Sequence, residues 1–168
     1  LLDPSNALNA ELIQAPPTFS VTYIGLNVNE PPFDDPKVRQ ALNLAIDKQE
    51  IATVVLADQV VPANGILPPA FPAFNVNLRG YDFDPERARQ LLAESKYGDD
   101  LDNLPPITMT TAGSFGATVS LDMEVVLQMW KKNLGIEAEF QRTEFATFLK
   151  DLHKRRFQMF DIGWIADY

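Results

Sequence analysis

From Pro105 onward the chain switches between two hydrophobic periods, and no other feature limits its fold so closely. Ile107 to Thr111 reads as a strand. Val119, Met123, Val126, Leu127, Trp130 and Leu134 then lay one apolar stripe along a helix. Gly135 stands where a helix stops in the left-handed conformation. Ile136, Ala138 and Phe140 alternate with Glu137, Glu139 and Gln141 as a second strand. Thr143 is placed to cap a helix bearing Phe145, Phe148, Leu149 and Leu152, and Phe157 to Ile165 makes a third strand. Strand, helix, strand, helix, strand implies parallel pairing through right-handed crossovers. The expected class is therefore α/β, a largely parallel sheet with helices on both faces.

The first half adds a strand and three helix starts. Thr18 to Val28 alternates with apolar residues on both sides, which predicts a strand buried on two faces. Pro31 and Pro32 end it, because neither can donate to a sheet ladder. Asp35 before Pro36 reads as an N-cap with proline at the first helical position, and Val38, Ala41, Leu42, Ala45 and Ile46 give that helix its apolar face. Asp47 and Glu50 have the spacing of a capping box for a second helix through Ile51, Val54 and Val55. Asp58 to Leu78, with Pro62, Gly65, Pro68, Pro69 and Pro72, is a long loop. Its Phe71 and Phe74 predict that it packs on the body. Asp84 and Pro85 repeat the cap-plus-proline start for a helix with Ala88, Leu91 and Leu92 that ends near Gly98. Leu1 to Pro17 reads as a connector with one short helical turn.

Composition excludes several classes. The net charge is −9, from 23 acidic against 14 basic residues, a balance that argues against a nucleic-acid surface, which needs clustered Lys and Arg. The basic cluster of Lys150, Lys154, Arg155 and Arg156, with His153 inside it, reads as a solvated helix end at the negative pole of the helix dipole. With no cysteine and 1 histidine, thiolate and multi-histidine metal sites are excluded, and no cofactor is expected. No run has the length of a membrane span. No nucleophile elbow or zinc-protease motif occurs, which leaves a carboxylate-based hydrolase as the enzymatic alternative and a purely structural interaction module as the other. Gly113 and Gly116 in the AGSFGA turn lack a phosphate-loop ending and read as a tight strand-to-helix turn, with anion binding at the helix start as the alternative.

The run PPFDDPKVRQALNLAIDKQEI, Pro31 to Ile51, resembles the large solute-binding proteins of ABC importers of the oligopeptide, dipeptide and nickel-binding type. These have a Pro-Phe-Asp-Asp turn before a Val-Arg-Gln-Ala-Leu helix and an Ala-Ile-Asp-Lys step. YDFDPERARQLLAESKYG resembles the same family, and RFQMFDIGWIADY resembles its segment leading to a Trp-x-x-Asp-Tyr motif. The resemblance runs from about Tyr23 to Tyr168 and implies a periplasmic-binding-protein-like (type II) lobe. Residues 1–17 would be a connector from a missing lobe, and 18–168 a C-terminal-type lobe truncated at its C-terminal end. Within the motif, Asp34, Asp35 and Arg39 read as a helix cap and an ion pair rather than ligand contacts.

Carried over residue by residue, the resemblance assigns Asp167 to a peptide's α-amino group and Trp164 to an apolar wall. A core tryptophan and a turn-capping aspartate are the alternative. Asn64, Ile66, Ser114 and Phe115 fall where the family lines its cleft. The expected function is peptide binding for import, without covalent chemistry. The expected partners are a peptide or other small-molecule ligand and a membrane ABC permease, and the protein is expected to be monomeric. It would be periplasmic or extracellular, and membrane-associated where the parent is a lipoprotein. Sugars, opines and nickel chelates are the alternative ligands on the same scaffold.

Overall fold

A computed structural model describes residues 5–11, 18–69, 71–98, 100–113 and 120–165. Four strands, β1 (Ser20–Leu26), β2 (Ile107–Ala112), β3 (Ala138–Thr143) and β4 (Met159–Ile165), form one sheet in the order β1-β4-β2-β3. The helices are α1 (Pro36–Leu44), α2 (Lys48–Glu50), α3 (Pro85–Ala93), α4 (Leu121–Leu134) and α5 (Phe145–His153). A π-helical turn, Ile51–Val55, continues α2. The expected short turn near the start is the 3-10 segment Ala7–Glu11.

β2 pairs in parallel with β3, Met109 opposite Phe140, and with β4, Met109 opposite Met159. The α/β expectation holds in this part of the sheet. β1 runs antiparallel to β4, from Ser20 opposite Ile165 to Leu26 opposite Met159, so the sheet is mixed. The strand predicted to be buried on two faces is instead a half-exposed edge strand. Its two-sided apolar pattern reflects partial cover on each face, which sequence alternation does not separate from full burial.

The larger core lies on one face of the sheet. Ile107, Met109 and Met159 meet Val38, Ala41 and Leu42 of α1, Ala88, Leu91 and Leu92 of α3, and Met123, Val126, Trp130 and Leu134 of α4. On the other face Phe148 of α5 stacks on Phe157 at 5.0 Å between ring centres and meets Phe160 edge-on at 6.3 Å. Helices thus cover both faces, as the periodicity predicts. Gly135 closes α4 at φ +72°, and a Cβ there would come 2.8 Å from Leu101 Cδ1, so both conformation and space select glycine.

Helix ends are where the two halves of the chain are joined. The terminal carbonyls of α1 have no partner within the helix. Trp130 Nε1 donates to the Leu42 carbonyl at 2.9 Å and Asn133 Nδ2 to that of Ala45 at 2.8 Å. At the other end Asp35 accepts from Lys37 N at 2.8 Å as N-cap and, with its second oxygen, from Lys96 N at 2.8 Å. Asp34 pairs with Lys96 and accepts from the Tyr97 hydroxyl at 3.1 Å, and these bonds hold its carboxyl below the usual aspartate range. Arg39 donates to the Phe33 carbonyl. The conspicuous Asp-Asp…Arg residues are therefore a cap, an ion pair and a turn brace.

Asp47 accepts from Glu50 N at 2.9 Å, which is half of a capping box. The Asp47 N–H goes to Met129 Sδ at 3.4 Å rather than back to Glu50. Gln158 ties the strand starts together. Its Nε2 donates to the carbonyls of Pro31 at 2.6 Å and Pro106 at 3.1 Å, while its Oε1 accepts from Thr108 N at 2.7 Å.

Trp130→Ala should lower unfolding free energy by about 3–5 kcal/mol, the cost of deleting a fully buried indole, read from urea denaturation. Asp35→Ala should cost about 0.5–2 kcal/mol, the value of an N-cap, and leave ligand affinity unchanged. A loss of affinity without a loss of stability would overturn the structural role given to this motif.

Candidate functional site

Parallel pairing sends the carboxyl ends of β2, β3 and β4 to one edge, and open α/β sheets take ligands there. Ala112, Thr143 and Ile165 end their strands at this edge, and Gly113 N extends the pairing by donating to the Thr143 carbonyl at 3.0 Å. Because β1 runs the other way, it contributes its first residues, Ser20 opposite Ile165 and Val21 opposite Trp164. Helices α4 and α5 begin at the same edge. Thr143, expected as the cap of α5, stays in β3 opposite Ala112. Glu144 is the cap instead, accepting from Ala146 N at 3.0 Å and Thr147 N at 3.2 Å, and these two bonds lower its carboxyl's pKa.

Large apolar side chains are exposed at this edge. Trp164 is 56% and Ile165 72% accessible, and Phe19, Leu121 and Phe145 are exposed beside the strand and helix ends. Trp164 alternates with the core-facing Met159, Asp161 and Gly163, so it lies on the α5 side of the sheet and outside the main core. In this chain Trp164 is not part of the buried core. Phe71 of the long loop meets Phe19 edge-on at 6.0 Å, which brings the loop to this end of β1 as its aromatic content predicts.

Asn64 and Ile66 sit in an earlier limb of that loop. Asn64 Oδ1 closes on Gly80, where a Cβ would come within 2.9 Å, and Lys48 Nζ donates to the Ala63 carbonyl at 3.5 Å. Burial lowers the Lys48 ammonium's pKa, opposed by Asp82. Ile66 is 59% accessible. Asp167, Ser114 and Phe115, with the rest of the AGSFGA turn after Gly113, lie outside the described residues.

One residue at this edge escaped the sequence reading. Asp161 occupies a core-facing position of β4, and its Oδ1 is buried without a hydrogen-bond partner. Desolvation raises its pKa above the ordinary aspartate value, and Asp122 in the first turn of α4 adds to the rise. The Thr111 hydroxyl and the strand backbone oppose it. The available signal was the strand alternation itself, which puts an acid in register with Met159. No group of three or more His, Cys, Asp or Glu suited to a metal ion occurs among the described residues. Nor is any described helix long and apolar enough to cross a membrane.

Comparison with known proteins identifies the family and the fold. The glutathione-binding protein GsiB of Salmonella typhimurium is 43% identical over 91 residues, covering 54% of this chain and 17% of that protein. The probable di/tripeptide-binding protein 5 of Pseudomonas aeruginosa is 31% identical over 155 residues, covering 92% of this chain and 28% of that one. The structure of the Escherichia coli murein tripeptide binding protein MppA superposes with a TM-score of 0.75 at 25% identity, over 91% of this chain and 30% of that one. The chain spans less than a third of the length of each of these relatives. The model of bacterial extracellular solute-binding proteins, family 5 (middle region), matches residues 2–168, and the chain, an α/β lobe of the type II periplasmic-binding-protein fold, belongs to that family.

Proposed function

We propose that this chain is most of one lobe of the substrate-binding component of an ABC importer, and that short peptides bind at its carboxyl edge, between this lobe and another. In this reading residues 1–17 are the connector and 18–168 the C-terminal-type lobe. The observation that carries it is Trp164, an aromatic side chain held outside the core near the end of β4, three residues before Asp167 in the sequence. An indole there supplies an apolar wall and a cation–π face. A carboxylate three residues on supplies a charge-assisted bond to an ammonium, and hinge closure strengthens that bond by excluding water. The names of the matched relatives, which bind glutathione, di/tripeptides and murein tripeptide, support a short peptide as ligand.

Asn64, Ile66, Ser114 and Phe115 extend the lining of the same cleft. The protein acts by binding and release, with no covalent step. Its partner is a membrane permease, and it works as a periplasmic or extracellular monomer, tethered to the membrane where the parent carries a lipid anchor.

Calorimetric titration of the polypeptide carrying both lobes, against di- to pentapeptides and glutathione, tests the reading. Binding should disappear with N-acetylated peptides and weaken on the order of 30-fold or more in Asp167→Ala, the cost of leaving a buried charge unpaired. This lobe alone should give no micromolar binding. No heat with any peptide would overturn the peptide assignment and direct the search to sugars, opines and nickel chelates.

A further inference from the structure

Among the described residues the sheet has two outer strands, and they are finished differently. β3, at one edge, reads AEFQRT and carries Glu139 and Arg142, with Glu137 just before it. Charges of this kind keep an edge from pairing with another strand. β1, at the other edge, reads SVTYIGL, 7 residues with neither a charge nor a proline. Its register against β4 runs unbroken from Ser20 to Leu26, so no bulge turns that edge away.

The ladder shows which backbone groups are left over. Asn27 N donates to the Gln158 carbonyl at 2.9 Å, one step beyond the pair of Leu26 with Met159. In an antiparallel pair, bonded and non-bonded positions alternate. Gly25, Tyr23 and Val21 therefore bond to β4 as Asn27 does, whereas Leu26, Ile24, Thr22 and Ser20 turn their N–H and C=O groups to the open side. Among the described residues nothing bonds to the N–H of Thr22, Ile24 or Leu26. Both faces of the strand are half covered. Ile24 and Leu26 pack against the main core, while on the other face Tyr23 meets Phe160 edge-on at 6.5 Å. A strand laid along the open side would complete the ladder and bury what these side chains still expose.

We propose that the open side of β1 is the pairing site for an extended, apolar segment of the same polypeptide outside residues 1–168, which adds a further strand to the sheet. The length of the relatives supplies such a segment, since this chain spans 28% of the di/tripeptide-binding protein and 30% of MppA. A second copy of this chain is the competing occupant. A tethered segment has the advantage of an effective concentration in the millimolar range. The inference rests on the reading of this chain as one lobe of a longer protein, but not on the ligand. Because Ser20 and Val21 lie at the carboxyl edge, the added strand also reaches that edge and widens the surface that carries Trp164.

Amide hydrogen exchange, read residue by residue by NMR without ligand, tests the pairing in this chain and in the polypeptide carrying both lobes. In this chain Val21, Tyr23 and Gly25 should be protected, and Thr22, Ile24 and Leu26 should exchange freely. In the longer polypeptide those three should gain protection on the order of 100-fold or more, because they then open only with the sheet. Thr22→Pro removes one outward N–H. It should lower the melting temperature of the longer polypeptide further than that of this chain, since an edge strand tolerates proline and an interior strand does not. Equally fast exchange of Thr22, Ile24 and Leu26 in both polypeptides, or their protection in this chain alone at high dilution, would sink the proposal. Protection that appears in this chain only as its concentration rises, with none gained in the longer polypeptide, would assign the edge to a second copy instead. With no peptide present, the outcome is separate from that of the calorimetric titration.

Discussion

Parallel pairing of β2 with both of its neighbours is the constraint on which the remaining structure depends. Parallel strands need long crossovers, and here those crossovers include α4 and α5. The same geometry sends three strand ends and two helix starts to one edge. Helix starts favour acids through the helix dipole, so Asp122, Glu124 and Glu144 collect there without any reference to a ligand. An acidic, apolar-rimmed edge suited to an ammonium group therefore arises from backbone rules before any specific side chain is considered. In the proposed reading, specificity is then added by a few residues, Trp164 among them.

The opposite end of the sheet has a structural task. There the family's most recognisable residues, from Pro31 to Arg39, link β1 to α1 through a cap, an ion pair and backbone bonds that extend to Lys96 and Gln158. Trp130 and Asn133 meet the end of α1 by donating to carbonyls that the helix cannot satisfy itself. These contacts make one body of the segments before and after the long loop. At the carboxyl edge the structural side-chain contacts are fewer: Glu144 caps α5, and Asp161 keeps a buried Oδ1 without a partner.

Much of this was legible in the residues. Each element with a clear period was recovered: the α4 stripe, the β3 alternation, and the Asp-Pro starts of α1 and α3. The capping of α5 was misread by one residue because Thr143 is committed to β3 pairing, while the longer Glu144 side chain reaches two backbone N–H groups. The position of β1 was misread because a half-covered edge strand and a central strand can share one apolar pattern. Asp161 was visible as an acid in a core-facing register, but nothing in its own segment indicated that its Oδ1 would be left without a partner.

By itself the sequence determined the periods, the stops and the caps, since these depend on φ preferences, side-chain reach and local hydrogen bonds. It also determined the family, through motifs that combine local caps with bonds to Lys96, Tyr97 and Gln158. Only the tertiary structure decided which strand lies at the edge, that Trp164 stands outside the core, and that Asp161 Oδ1 is buried without a hydrogen-bond partner. Those facts depend on which surfaces meet across long stretches of chain, and burial and electrostatic pairing are properties of that meeting rather than of any segment.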